Sequence, residues 1–296
     1  MNTVPTLNTR FALPGHLTFE ASQTDLPVAS ITTTHATAQV ALQGAHLLAW
    51  QPTGHKPVIW VSKAAVFEPG IPVRGGVPVC WPWFGALAGQ ATHGFVRTRL
   101  WEVRGTALDA AGQVVLRLGL RDDASTRALW DHAFDLELVV TVGQTLSMAL
   151  VTHNTGAQPF TLAQALHTYF CVGDIARTTV QGLDGCSYLD KVDHFAEKRQ
   201  SGVVHITGET DRIYVNTRSD CVIEDAAWTR RIRVAKQGSA STVVWNPWGE
   251  REKAISDMAA GDYLGMVCVE TTNAGPDQIT LQPGDQHTLV AHISVQ

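Results

Sequence analysis

The stretch Phe134–Val142 reads FDLELVVTV, and its alternation decides the fold. Phe134, Leu136, Leu138, Val140 and Val142 fall on one side of an extended chain, and Asp135, Glu137, Val139 and Thr141 on the other. A period of two is the mark of a half-buried strand. Gly143-Gln144 follows as a short turn, and Leu146, Met148 and Leu150 resume the alternation. Upstream, Val114, Leu116, Leu118 and Leu120 repeat the pattern; at the end of the chain Leu289, Ala291, Ile293 and Val295 do so again. Turn-forming clusters at 109–112, 154–156, 182–185, 237–238 and 283–285 punctuate these runs. Helical patterns are few, the best over 250–260, with a turn or two within 122–130. Many short strands without intervening helices predict an all-β fold, a large antiparallel β-sandwich, and exclude Rossmann and TIM-type folds. With no linker and no low-complexity tract, residues 1–296 are read as one domain, with 1–24 as an N-terminal extension or edge segment.

Composition narrows the function. Hydrophobic residues make up 45% of the 296, and charged residues 17%, below the typical ~25%, so an extensive core is available. Lys and Arg total 22 against 27 Asp and Glu, giving a net charge of −5. No basic field exists for nucleic acid or an anionic membrane, and an anionic small molecule would need a local cluster of cations. No run approaches the ~18 apolar residues of a membrane span, and the first residues lack a signal-peptide pattern. Five scattered cysteines without a CxxC pair read as reduced thiols, which predicts a cytoplasmic protein. A monomer is expected.

Four segments hold chemistry. The first, 68–85 (EPGIPVRGGVPVCWPWFG), has four prolines and four glycines, too many for a helix or a central strand. It reads as an ordered loop around the cation Arg74. Either its aromatics plug one end of the sandwich, or they wall a small-molecule site and offer flat faces to a sugar ring. In the second, Thr92, His93 and Arg97 precede a strand expected over 98–103; Arg97 and Arg74 could fork onto a phosphate, or be unrelated surface arginines. In the third, 160–170 (FTLAQALHTYF) reads as one strand with Ala163, Ala165, His167 and Tyr169 on one face. His167 there is either a satisfied core histidine or a catalyst. In the fourth, 265–273 (GMVCVETTN), Glu270 ends an apolar strand beside Met266 and Cys268. A carboxylate in that position needs a partner or bears the cost of desolvation, and a structural salt bridge would serve as well as a catalytic role. Asp211, at the start of a strand, is a further acid of note. The runs 229–236 and 250–253 read as solvated faces. With no HxH, HExxH or GxSxG, neither a metal site nor a serine nucleophile has support, and no cofactor is expected.

The ordered set RGGVPVCWPWFG (74–85), HGFVR (93–97), ALHTYF (165–170), DRIY (211–214), VVWNPW (243–248) and CVETTN (268–273) resembles the hexose-6-phosphate mutarotases. These form the glucose-6-phosphate 1-epimerase branch of the aldose 1-epimerase superfamily, and the match runs over about 25–295. The resemblance implies a galactose-mutarotase type of sandwich and interconversion of the anomers of a hexose 6-phosphate. It implies His167 as the acid that protonates the ring oxygen and Glu270 as the base that deprotonates the C1 hydroxyl. It further implies Arg74 and Arg97 at the phosphate, Asp211 on sugar hydroxyls and His93 in the cleft. Thr92 stands where relatives often have Gln. On this reading the free site holds His167 protonated and Glu270 ionised, with activity peaking between ~4.3 and ~6.5 or slightly above. The competing readings are a non-catalytic phosphosugar-binding or regulatory module on the same sandwich, and a lyase or hydrolase that borrows the fold.

Overall fold

In the computed structural model, which describes residues 3–22 and 24–296, Phe134–Val142 is a strand of alternately buried and half-buried residues. It pairs antiparallel with Leu146–Asn154 on one side and Val114–Arg121 on the other. Gln286–Val295 joins Leu146–Asn154, and Arg230–Gln237 joins Gln286–Val295, so the widely spaced alternating runs meet in one nine-stranded sheet. An eight-stranded sheet faces it, with Thr210–Tyr214, Ser241–Asn246 and Met266–Asn273 at its centre. Leu116, Leu138, Leu150 and Leu289 of the first sheet pack with Leu166, Val244, Val267 and Val269 of the second in one apolar core. A four-stranded meander from Leu17–Ala21 to His46–Pro52 completes the β-sandwich, and its first strand is an edge.

The strand Met266–Asn273 is buried along its whole length because both of its faces are covered. Val267 and Val269 point into the sandwich core, while Met266 and Cys268 pack on the opposite side with Trp60, Tyr169 and Met258. Glu270 has the parity of Met266 and Cys268, so its carboxyl leaves the core on that outer face. It sits in the middle of the strand and not at its end.

Residues 160–170, expected as one strand, form Phe160–Leu162, Gln164–Leu166 and, after a break, Tyr169–Cys171. The register against Met266–Asn273 is unchanged across the break. Leu166 opposes Thr271 and Tyr169 opposes Cys268, which puts His167 opposite Glu270. The break lies at Thr168, whose N–H turns back to Leu166 O (2.9 Å). On the other edge the His167 N–H donates to Pro78 O (3.0 Å) and the Tyr169 N–H to Gly76 O (3.0 Å). Both acceptors belong to the Pro/Gly segment, whose only strand is the edge pair Val79–Cys80. Only glycine fits at 76: its φ is +68°, and a Cβ would lie 2.3 Å from His46 Nε2.

Elsewhere the local readings needed correction. The helix over 250–260 is only Trp248–Glu252, and the turn within 122–130 is Ala124–Arg127, capped by Asp123. A helix at Val4–Phe11, with Leu7 buried, has too few residues to display a period. The strand expected from 98 begins at Glu102, because Val96–Thr98 is a 3₁₀ turn. The solvated face over 229–236 holds for Arg231 and Arg233, but Arg230 is buried against Asp225 and donates to the Lys56 and Pro57 carbonyls.

The loop bearing His93 is tied to the Pro/Gly segment by a bridge between Trp81 and Gly94. Gly94 has φ +78°, and a Cβ there would lie 1.8 Å from Trp81 O. Gly94→Ala is therefore expected to cost more than ~1 kcal/mol, a fall in Tm of at least ~2–4 °C. Gly105→Ala, at a glycine with nothing within 4 Å, is the control. Equal melting temperatures for the two variants in thermal denaturation would contradict the close approach.

Candidate active site

The outer face of the eight-stranded sheet forms the floor of a cavity of about 460 Å³. Strand register assembles that floor. Asp211 opposes Trp245, Trp245 opposes Cys268, and Cys268 opposes Tyr169, a single cross-strand row in which Asp211, Trp245 and Tyr169 line the cavity and Cys268 is buried among its neighbours. One step along, Glu270 and His167 face each other. The walls come from loops: Arg74 and Phe84 from the Pro/Gly segment, His93 from the next loop, Lys191 from a 3₁₀ turn, and Arg251 and Ile255 from the helix at 248–252 and the turn beyond it.

His167 Nε2 and Glu270 Oε1 are 3.5 Å apart, too long for a hydrogen bond but close enough to pass a proton once a ligand enters. His167 is 8% exposed and Glu270 1%. Among the described residues, only three buried side-chain polar atoms have no hydrogen-bond partner, and two of them are His167 Nδ1 and Glu270 Oε2. Native proteins seldom leave such atoms unpaired, so the cluster marks a place where a polar ligand completes the bonding. The His167 ring stacks on Tyr169 (4.8 Å, 11°), and Tyr169 stacks on Trp60 (5.8 Å, 19°), which fixes the imidazole plane.

Electrostatics distinguish the two groups. Burial pushes His167 well below its ordinary range, and His93, Arg74 and Arg97 push it further. Burial lifts Glu270 well above the carboxylate range; the Asp211 charge adds to this and Lys191 opposes it. These shifts favour a neutral carboxylic acid at Glu270 facing a neutral imidazole at His167, with one transferable proton shared by the pair. That reverses the expectation of a protonated His167 beside an ionised Glu270. The physical reason is desolvation: each group is buried in its neutral form, and 3.5 Å of separation brings no compensating hydrogen bond. His93 is pushed down to about 3, by burial first and then by Arg97, Lys191 and Arg74. Its Nδ1 accepts from the Gly85 N–H (3.1 Å), so Nε2 bears its proton and is the donor available to a ligand.

The cations are fixed by acids. Arg74 Nε donates to Asp257 (3.0 Å) and its NH1 to Tyr169 Oη (3.1 Å). Lys191 Nζ meets Asp211 Oδ2 at 2.6 Å, and burial raises the Asp211 pKa against that pull. Glu252 accepts from the Gly261 and Tyr263 N–H groups, pinning the loop that presents Asp257. The run 250–253 is therefore no simple solvated face, since Glu252 is buried and Arg251 lines the cavity.

Of the residues singled out in the sequence, the cavity brings together His167, Glu270, Arg74, His93 and Asp211. Arg97 and Thr92 do not line it. Arg97 donates to Thr92 O (2.6 Å) and acts on His93 and His167 through its charge. Sequence reasoning missed Lys191, Arg251, Trp245 and the orienting role of Tyr169. Tyr169 shares the His167 face in the alternation, so a signal existed; Lys191 and Arg251 carried none, because each lies in a short turn or helix among ordinary surface charges. A ring nitrogen of His167, Cys268 Sγ and a Glu270 oxygen also lie within 4.8 Å of one another, a donor set with metal-binding character.

Most of the chain is similar to known proteins. The aldose 1-epimerase family matches residues 27–294. A protein of Escherichia coli, provisionally named glucose-6-phosphate 1-epimerase, is 41% identical over 244 residues, covering 81% of each chain. A plant protein with the same provisional name, from Cenchrus ciliaris, is 32% identical over 260 residues, covering 84% of this chain and 78% of its own. The crystal structure of a provisionally named mutarotase from Salmonella typhimurium superposes with a TM-score of 0.90 at 35% identity, covering 96% of this chain and 95% of that one. A galactose mutarotase-like protein from Clostridium acetobutylicum, 13% identical over 95% of this chain and 98% of its own, shares the fold with a TM-score of 0.73.

At pH 7 the imidazole of His167 is expected to be neutral and the carboxyl of Glu270 protonated. NMR titration of the histidine ring protons, with His167→Gln to assign the resonance, tests this. A His167 midpoint at or above ~6.5 would contradict the desolvated pair.

Proposed function

The chain belongs to the aldose 1-epimerase family, and we propose that it interconverts the α and β anomers of a hexose 6-phosphate, glucose 6-phosphate first among them, with His167 and Glu270 as its proton-transfer pair. It is an isomerase on the galactose-mutarotase type of β-sandwich. The observation that carries the residue assignment is the pair itself: two buried titratable groups facing one another, each with an unpartnered atom, in a cleft rimmed by cations. A module that merely bound a phosphosugar would have no need to bury an acid and a base unpaired at the floor of its site.

Anomer exchange moves protons and no electrons. The O1 proton leaves, the C1–O5 bond opens and O5 gains a proton; C1 then rotates about C1–C2, and the reverse sequence closes the ring on the other face. The pair holds one proton throughout as a reservoir. When the substrate dianion enters, its phosphate meets the positive field of Arg74, Lys191, Arg251 and the neighbouring Arg97. Neutralising Arg74 and Arg97 removes part of what holds His167 down, and the proton passes from Glu270 to His167. His167 then protonates O5 while Glu270 takes the O1 proton. His93 and Asp211 hold sugar hydroxyls, and the flat faces of Phe84 and Trp245 suit the apolar face of the ring. Each proton-transfer group is expected to contribute roughly 10²–10⁴-fold. We take residues 1–296 as one catalytic unit, acting as a monomer in the cytoplasm. The five unpaired cysteines support the cytoplasmic part of that reading.

His167→Ala and Glu270→Gln should each abolish exchange of glucose 6-phosphate anomers in saturation-transfer NMR, with the double variant little worse than either. Near-wild-type exchange in either folded variant would remove the pair from the mechanism. Arg74→Ala should weaken glucose 6-phosphate by ~1.5–3 kcal/mol, the worth of a charge-assisted bond, and free glucose much less. Equal losses for the two sugars would show that Arg74 does not read the phosphate.

A further inference from the structure

Cys268 takes no part in the proposed proton transfer, yet its thiol lies close to the groups that do. It lies two residues from Glu270 on one strand and so shares its face, and Tyr169, two residues beyond His167, opposes it. A His167 ring nitrogen, Cys268 Sγ and a Glu270 carboxylate oxygen lie within 4.8 Å of one another. We propose that these three side chains form a binding site for a thiophilic divalent cation, of the zinc or cadmium class, whose occupation closes the cleft to the sugar.

Geometry and donor chemistry both point there. Ligand atoms around a tetrahedral zinc are roughly 3.3–3.8 Å apart, given bonds of about 2.0–2.3 Å. His167 Nε2 and Glu270 Oε1 already stand at 3.5 Å, and a modest inward turn of the thiol completes the triangle. One sulfur, one nitrogen and one oxygen suit a borderline-soft cation and exclude magnesium and calcium, which take oxygen alone. Glu270 Oε2 is buried without a partner, so the carboxylate can turn toward a cation without breaking a bond in the protein. His167 Nδ1 is equally unpartnered and can hold the ring proton while Nε2 gives its lone pair. Binding releases the thiol and carboxyl protons to solvent and forms three bonds to the cation. The fourth position opens onto the cavity, where water or a sugar hydroxyl would complete it. Because the cation and the proton pair use the same atoms, the two states exclude one another. This inhibitory consequence rests on the catalytic reading of His167 and Glu270; the binding itself does not.

The test uses the full chain, stripped with chelator. Zinc should stop anomer exchange and chelator should restore it, while magnesium has no effect. Cobalt(II) should produce a thiolate-to-metal charge-transfer band in the wild type. Cys268→Ala should retain exchange, lose the band, and raise the zinc midpoint on the order of tenfold or more. Cys268→Ser serves the same purpose if the alanine variant does not fold. No band in the wild type, or an unchanged zinc midpoint in the cysteine variants, would overturn the site. A band with undiminished exchange would uphold the cation site and count against the catalytic role of the pair.

Discussion

Glu270 lies in the middle of an eight-residue strand on which every side chain is buried, and one of its carboxylate oxygens has no partner. Burying such a group in its charged form costs several kcal/mol, so it is buried neutral, and the same holds for the imidazole facing it. Much of the site follows from that constraint. The sandwich holds the two unsatisfied groups 3.5 Å apart. Tyr169 stacks on one face of His167, the His167 and Tyr169 amides are held by Pro78 and Gly76, and the strand Met266–Asn273 is locked on both edges.

The cations occupy the second tier of this arrangement. Arg74 is tethered by Asp257 and Tyr169, and Lys191 by Asp211, so positive charge is concentrated at the rim without a direct ion pair to Glu270. Arg74 and Arg97 lower the pKa of His167, while Lys191 opposes the rise of Glu270. Asp211 therefore has two effects: it anchors Lys191, and its own charge raises Glu270. An anionic ligand alters this balance in a defined direction, since it cancels the influence of Arg74 on His167.

Much of this was legible in the sequence, and the reasons differ from element to element. Alternation over Phe134–Val142 and Leu146–Asn154 survives intact because each strand has one face on the core. The parity of His167 with Tyr169, and of Glu270 with Cys268, was equally readable, and strand register turned both into a single cluster. Long-range placement was not readable. Arg251 resembles a surface charge until the Glu252 carboxyl is seen buried beneath it, holding the loop that delivers Asp257 to Arg74. Lys191 gave no signal because its role depends on Asp211, on a strand that follows it in sequence by a long excursion. Protonation states were misread for a different reason: intrinsic pKa values describe solvated groups, and only the depth of the site shows how far desolvation moves them.

The central claim is that the working site holds one proton on two desolvated groups. The pH dependence of kcat/KM for glucose 6-phosphate anomer exchange, corrected for the substrate phosphate's own ionisation near ~6, tests it most directly. Acid adds a second proton to His167, whose pKa is lowered, and base removes the last from Glu270, whose pKa is raised. The acidic limb therefore belongs to His167 and the basic limb to Glu270, and a broad plateau should span neutrality. A narrow maximum between ~4.3 and ~6.5, the values of the two groups in water, would contradict the account.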